Sequence, residues 1–145
     1  MTAHTVKVLL VEDAEPLVTR LSEILMDIPG LELVGPARSV TETIRIAPLI
    51  DPDALVLDLQ IEDGTGLDVL RVVRAKCKGT TVIVLTNSAS DFVRHACLKA
   101  GANYFMDKSN ELEKLREVLA RMAHKLDPPR AVAAAGRRLP RRAKS

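Results

Sequence analysis

The stretch Ala-Leu-Val-Leu-Asp at residues 54–58 decides the fold, because an unbroken apolar run ends there at a single carboxylate. Three further apolar runs end in the same way at polar residues: residues 6–11 before Glu12 and Asp13, residues 82–85 before Thr86, and residues 104–106 before Asp107 and Lys108. Continuous apolar runs of this length are typical of parallel strands that helices cover on both faces. Ligands of such open sheets bind outside the carboxyl ends of the strands. The sequence therefore predicts a site of acids, a hydroxyl and a lysine along one edge of a sheet.

Length and composition restrict the class of protein. The chain has 145 residues, of which 47% are hydrophobic and only 2% aromatic, so we expect one domain with an aliphatic core. No apolar run approaches the roughly 18 residues that span a membrane, and the N-terminus lacks a signal peptide pattern. Cys77 and Cys97 have neither metal-site nor CxxC spacing, and a disulfide between them is the less favoured alternative. We therefore expect a cytoplasmic protein with reduced thiols.

Charge divides the chain into two parts. Residues 128–145 hold six of the 21 Lys and Arg residues and no acid, so the preceding residues carry 15 bases against all 19 acids. The composition beyond Pro128 is rich in Ala, Arg and Pro and is typical of disorder. We predict a folded domain over residues 5–127 and a basic, disordered tail over residues 128–145.

The order of predicted elements indicates an α/β fold. Besides the runs above, residues 31–34 alternate like a short strand, and the central strand covers residues 53–58. Five helices are predicted. Four run from about Pro16 to Ile28, from Val40 to about Ala47 before Pro48, from Leu67 to before Gly79, and from Asp91 to Lys99. The fifth follows a cap at Ser109 or Asn110, and its buried stripe runs from Leu112 to Met122. Strands that alternate with helices favour a flavodoxin-like, doubly wound five-stranded parallel sheet of order 2-1-3-4-5 with five helices.

The polar residues at the strand ends suggest phosphoryl chemistry. An aspartate held rigidly at the end of a buried strand, as predicted for Asp58, is a common nucleophile, although a turn or helix cap is an alternative. Glu12, Asp13 and Asp58 would repel one another without a cation, and oxygen ligands alone suit Mg²⁺. Lys108 could give a point charge and Thr86 a hydroxyl to the same phosphoryl group. Taken singly, Lys108 could be a solvated lysine and Thr86 a helix cap.

These motifs, in this order, resemble the receiver domains of two-component response regulators over about Thr5 to Leu126. The motifs are Val-Leu-Leu-Val-Glu-Asp at 8–13, Leu-Val-Leu-Asp at 55–58, Asp-Gly-Thr-Gly-Leu-Asp-Val-Leu at 63–70, Val-Ile-Val-Leu-Thr at 82–86 and Gly-Ala-Asn-Tyr-Phe-Met-Asp-Lys-Ser at 101–109. Because few residues follow Leu126, we expect a stand-alone, single-domain receiver that acts by binding a partner or by relaying a phosphoryl group.

The resemblance implies a role for each residue of the site. Asp58 would accept a phosphoryl group from a histidine kinase or a histidine phosphotransfer protein. Glu12, Asp13, Asp58 and the backbone carbonyl of Gln60 would hold Mg²⁺. Lys108 would neutralise a phosphoryl oxygen, and Thr86 would turn inward to hydrogen-bond another. Gln60 and Ser88 lie at positions that tune hydrolysis of the aspartyl phosphate.

The resemblance also implies how the signal leaves the site. Phe105, three residues before Lys108, lies at the family's aromatic switch position, although a permanently buried core ring is the alternative. Its inward movement would alter the surface of the fourth helix, fifth strand and fifth helix, where an output protein or a second copy could bind. Many relatives have a proline after the lysine, often with a cis peptide; with Ser109 there, we expect a trans bond.

Two other functions compete with this interpretation. A magnesium-dependent phosphatase with an aspartate nucleophile would typically have a second acid where Gln60 stands. The arginine-rich tail could bind nucleic acid, an acidic membrane surface or an acidic protein, although it lacks aromatics and a recognition helix. The leading hypothesis is a signalling switch that catalyses only its own phosphorylation and dephosphorylation.

Overall fold

The computed structural model describes residues 5–87 and 90–125. The predictions for Ser88 and for the basic tail fall outside the described residues, and so does the boundary at residue 127. Within the described ranges, no helix is long and apolar enough to cross a membrane.

A five-stranded parallel sheet forms the centre of the protein. Its strands are β1 (Val6–Val11), β2 (Leu31–Ala37), β3 (Ala54–Asp58), β6 (Thr81–Thr86) and β7 (Tyr104–Asp107). A small antiparallel hairpin of β4 (Gln60–Ile61) and β5 (Gly64–Thr65) follows β3. The strand order in the sheet is β2-β1-β3-β6-β7, which is the predicted 2-1-3-4-5 order once the hairpin is left out of the numbering.

Five helices cover the sheet in two layers. They are α1 (Glu15–Met26), α2 (Val40–Ile50), α3 (Gly66–Lys76), α4 (Asp91–Lys99) and α5 (Leu112–Lys125). One apolar cluster packs α1 and α5 against the sheet, with Leu21, Leu25, Leu115 and Leu119 fully buried. A second cluster packs α2, α3 and α4 against the other face. The flavodoxin-like, doubly wound α/β fold is therefore confirmed.

Two elements run further than the sequence predicted. Helix α2 continues through Pro48 to Ile50, because a proline near the end of a helix removes only one hydrogen bond while Ile50 still packs on the core. Strand β2 extends from Leu31 to Ala37 rather than ending at residue 34, since pairing with β1 carries it past Gly35. Both differences come from tertiary contacts that local propensity does not record.

The predicted cap of the last helix at Ser109 or Asn110 is wrong, because α5 begins at Leu112 and the residue directly before it is Glu111. The Ser109 backbone N–H, at 2.7 Å, and its hydroxyl, at 2.5 Å, both donate to Asp107 Oδ1. Helix α5 begins later, at Leu112, and its first-turn N–H groups bond to the Glu111 carbonyl. The Lys108–Ser109 peptide bond is trans, as predicted.

Both cysteines are free thiols in the apolar cluster that packs α2, α3 and α4 on the sheet. Cys77 directly follows α3, and Cys97 lies in α4. Burial raises the pKa of each thiol above its ordinary value, so both are protonated at neutral pH.

Candidate functional site

The carboxyl ends of four neighbouring strands bring the predicted residues to one edge of the sheet. Glu12 and Asp13 follow β1, Asp58 ends β3, Thr86 ends β6, and Lys108 follows β7. The parallel register aligns these ends, since Asp58 pairs with Leu85 and Thr86 pairs with Asp107. The residues of this edge therefore follow strands that are mostly buried, at the end of the sheet where ligands of open α/β sheets bind.

Three carboxylates converge at this edge. One oxygen each from Glu12, Asp13 and Asp58 lies within 4.8 Å of the others. The side chain of Glu12 is only 1% exposed and that of Asp58 4%, whereas Asp13 is half-buried. Three carboxylates this close repel one another when charged, so the cluster favours a nearby cation.

Lys108 supplies one positive charge to the cluster. Its ammonium nitrogen lies 3.1 Å from Glu12 Oε1 and 3.0 Å from Asp58 Oδ2, and its side chain is 10% exposed. The Lys108 backbone N–H donates to the Thr86 carbonyl at 3.1 Å, so the end of β6 fixes the position of the Lys108 backbone. A lysine held by two buried carboxylates has little conformational freedom.

Burial affects the charge state of Glu12. Desolvation raises the pKa of its carboxyl, and the nearby Asp58 charge adds to this. The Ala14 backbone N–H, 3.1 Å from Glu12 Oε2, and Lys108 act in the opposite direction. The net effect is a raised pKa of the Glu12 carboxyl, and burial is its largest cause.

The donor set fits Mg²⁺. All donors at the cluster are oxygens, and Glu12, Asp13 and Asp58 supply more negative charge than Lys108 neutralises. Hard oxygen ligands and few protein contacts are what Mg²⁺ prefers. The cluster is therefore able to bind a divalent metal ion.

The chain after Asp58 is packed tightly against it. The Gln60 N–H donates to Asp58 Oδ1 at 3.2 Å, and the Gly66 N–H donates to the Leu59 carbonyl at 2.9 Å. A Cβ added at Gly66 would lie 2.6 Å from the Asp58 carbonyl oxygen and 2.9 Å from Leu59 Cα. Only glycine allows this return of the chain, so Gly66 holds the β4–β5 hairpin beside Asp58.

Thr86 and Phe105 lie on the two neighbouring strands β6 and β7. Thr86 is buried. The Phe105 ring is also buried, 5.9 Å from the Arg94 guanidinium carbon, while adjacent Tyr104 is 37% exposed. Phe105 rather than Tyr104 is therefore the ring that faces inward at the predicted switch position.

Sequence reasoning missed two residues of this site. Gly66 provides the close approach described above, and the Asp63 carboxylate joins the hairpin to α2. The Asp-Gly pair at 63–64 is a turn signal, but the partners of Asp63 lie 22 and 23 residues earlier in the chain. Nothing in the local pattern could identify them.

Comparison with known proteins is consistent with this geometry. Residues 8–120 match the family model for the response regulator receiver domain. The chain belongs to this family.

Curated relatives share the domain. The photosynthetic apparatus regulatory protein RegA of Cereibacter sphaeroides is 35% identical over 121 residues, which are 83% of this chain and 65% of RegA. The DNA-binding transcriptional activator DevR/DosR of Mycobacterium tuberculosis is 34% identical over 103 residues, 71% of this chain and 48% of that protein. The chain thus spans about half to two thirds of the length of these relatives.

Solved structures agree on the fold. The receiver domain of a sensor histidine kinase from Pseudomonas aeruginosa, with a magnesium ion coordinated in its active-site cleft, has a TM-score of 0.72 and 25% identity, covering 83% of this chain and 98% of its own. The receiver domain of a NarL response regulator from Mycobacterium tuberculosis has a TM-score of 0.76 and 19% identity, with the same coverages. The second likeness shows the fold alone.

Proposed function

We propose that this protein is a phosphorylation-controlled signalling switch in which Asp58 accepts a phosphoryl group from a histidine kinase or a histidine phosphotransfer protein. The observation that supports this most strongly is the Lys108 ammonium, 3.1 Å from Glu12 and 3.0 Å from Asp58 in a three-carboxylate cluster. A purely structural ion pair would not need two further acids at the open end of a sheet.

The proposed transfer is a simple displacement at phosphorus. An oxygen of Asp58 forms a bond to phosphorus while the bond from phosphorus to the donor's imidazole nitrogen breaks, and the imidazole leaves with that electron pair. Lys108 stays beside the new phosphoryl oxygens and neutralises part of their charge. In the later hydrolysis, a water oxygen forms a bond to phosphorus and loses a proton to solvent while the bond from phosphorus to the Asp58 oxygen breaks. Inorganic phosphate leaves, and the electron pair of the broken bond restores the Asp58 carboxylate. The protein turns over no other substrate in this proposal.

Glu12, Asp13, Asp58 and the Gln60 carbonyl are the groups that would hold Mg²⁺. When bound, Mg²⁺ would neutralise charge on the phosphoryl oxygens during transfer. The chain's own residues orient the reaction: the Gln60 N–H fixes one Asp58 oxygen, and the Ala14 N–H fixes one Glu12 oxygen. Gln60 is exposed, and in this proposal its side chain affects the approach of a hydrolytic water.

Readout would pass through Thr86 and Phe105. In the proposal, the Thr86 hydroxyl bonds the phosphoryl group and the Phe105 ring is held inward. The Arg94 guanidinium above that ring connects the change to α4. The surface of α4, β7 and α5, which carries the exposed Phe92 and Tyr104, is then the binding face for an output protein or a second copy.

The test is intact mass after incubation with Mg²⁺ and acetyl phosphate or phosphoramidate. We expect wild type to gain one phosphoryl group, and Asp58→Asn to gain none. Asp91→Asn is the matched control, because Asp91 is an exposed acid in the first turn of α4. Equal phosphorylation of wild type and Asp58→Asn, or gain without Mg²⁺, would contradict the proposal.

A further inference from the structure

The β4–β5 hairpin connects the Asp58 site to α2. At one end, the Gln60 N–H bonds Asp58 Oδ1 at 3.2 Å, and Gln60 pairs with Thr65 across the hairpin. At the other end, Asp63 in the turn and Gly64 at the start of β5 lie against the first residues of α2. A hairpin with two-residue strands has little stability of its own, so its position depends on these attachments and on the Gly66 N–H bond to the Leu59 carbonyl.

The Asp63 carboxylate makes the attachment to α2. Its Oδ1 accepts from the Val40 N–H at 2.7 Å, and its Oδ2 accepts from the Thr41 N–H at 3.3 Å and from the Thr41 hydroxyl. The Glu62 carbonyl also accepts from the Val40 N–H, at 3.1 Å. These N–H groups are among those that a helix leaves unpaired at its start, and a carboxylate is a favoured partner for them.

The backbone at this turn depends on the same contacts. Asp63 has a φ of 57°, in the left-handed region that most residues avoid. Hydrogen bonds to α2 hold the turn in this conformation. The Thr41 hydroxyl keeps the pKa of the Asp63 carboxyl below its ordinary value, so the group is charged at neutral pH.

We propose that Asp63 is a positioning residue for the Asp58 site: by anchoring the hairpin to the start of α2, it fixes the Gln60 backbone against Asp58. This inference rests on the proposed function, because Gln60 is the backbone group assigned there to the site. Asp63 touches none of the reacting atoms, and it acts only through the hairpin.

Three variants of the full chain test this inference. Asp63→Gly removes the carboxylate without strain, since glycine tolerates the left-handed backbone. Asp63→Asn keeps an oxygen acceptor and also tolerates that backbone. Ser39→Ala is the matched control: Ser39 Oγ accepts from the Glu42 N–H at 3.0 Å, so its loss weakens the same helix start without releasing the hairpin.

Two readouts separate positioning from general destabilisation. The first is protection of the Gln60 amide from hydrogen exchange in the metal-free protein, and the second is the initial rate of phosphorylation by phosphoramidate, followed by intact mass. We expect Asp63→Gly to lower both by about tenfold, the size expected for a lost helix cap. Asp63→Asn should recover most of both. Ser39→Ala should lower the urea midpoint while leaving both readouts near wild type.

The inference is overturned if Asp63→Gly keeps wild-type Gln60 protection, or if Ser39→Ala lowers both readouts as much as Asp63→Gly does. If the wild type gains no phosphoryl group, the proposed function fails instead. The exchange comparison still decides the role of Asp63 in that case, because it uses the metal-free protein.

Discussion

Replacing Gly66 by alanine should push the hairpin away from the end of β3. The added Cβ would lie 2.6 Å from the Asp58 carbonyl oxygen, about 0.8 Å closer than the 3.4 Å at which ordinary contact begins. The second contact, 2.9 Å from Leu59 Cα, is also with backbone, which cannot rotate away as a flexible side chain can. The chain must therefore move at Asp58 itself.

The expected cost follows from two opposing effects. Overpacking of this kind costs about 1–3 kcal/mol. A glycine-to-alanine change restricts the unfolded chain and returns about 0.4–1 kcal/mol where the native backbone tolerates alanine. The φ of Gly66 is not in the left-handed region, so this gain applies. We expect a net loss of about 1–2 kcal/mol in the free energy of unfolding.

The assay is urea unfolding followed by circular dichroism, because the chain contains no tryptophan. Gly79→Ala is the matched control, since a Cβ there meets nothing within 4 Å, and it should stay within about 0.5 kcal/mol of wild type. Phosphorylation by phosphoramidate should slow in Gly66→Ala only. If Gly66→Ala proves as stable as Gly79→Ala, the close approach at Asp58 does not limit the site and the argument is wrong.

Three further predictions concern charge. Lys108→Met should lower the free energy of unfolding by about 3–5 kcal/mol in metal-free buffer at pH 7, because it leaves buried Glu12 and Asp58 without their cation; an unchanged urea midpoint would refute this. The pKa of Asp63 is lowered in the folded protein, so its contribution is present above the unfolded pKa of about 3.9 and is lost as pH falls through the folded pKa. Stability measured from about pH 6 down to about pH 2 should therefore fall less steeply in Asp63→Asn than in wild type. Arg74→Met should cost about 1–3 kcal/mol, since its guanidinium makes five hydrogen bonds to oxygens of two loops, without slowing phosphorylation.

The features that could be predicted from the sequence depend on continuous apolar runs and the polar residues that end them. The apolar runs predict the strands and their parallel order. Because the ends of parallel strands meet at one edge of a sheet, this order also predicts that Glu12, Asp58 and Lys108 converge. The resemblance added the roles of these residues, which stay proposals until phosphorylation is measured.

The features that sequence could not predict depend on partners distant in the chain. Asp63 bonds to Val40 and Thr41, and no local pattern records such a pairing. The continuation of α2 through Pro48 likewise reflects packing that outweighs the local tendency of proline to end a helix. The Ser109 hydroxyl donates to Asp107, an acceptor two residues away in the chain, and does not cap α5, which begins three residues after Ser109.

The two buried thiols allow local opening of the fold to be measured in the natural chain. A protonated thiol inside an apolar layer reacts with an alkylating reagent only when that part of the fold opens. Cys77 borders α3 and Cys97 belongs to α4, so their separate alkylation rates measure how often each helix leaves the sheet. Without any engineered label, the natural chain can therefore reveal whether occupation of the Asp58 edge tightens one helix, both or neither.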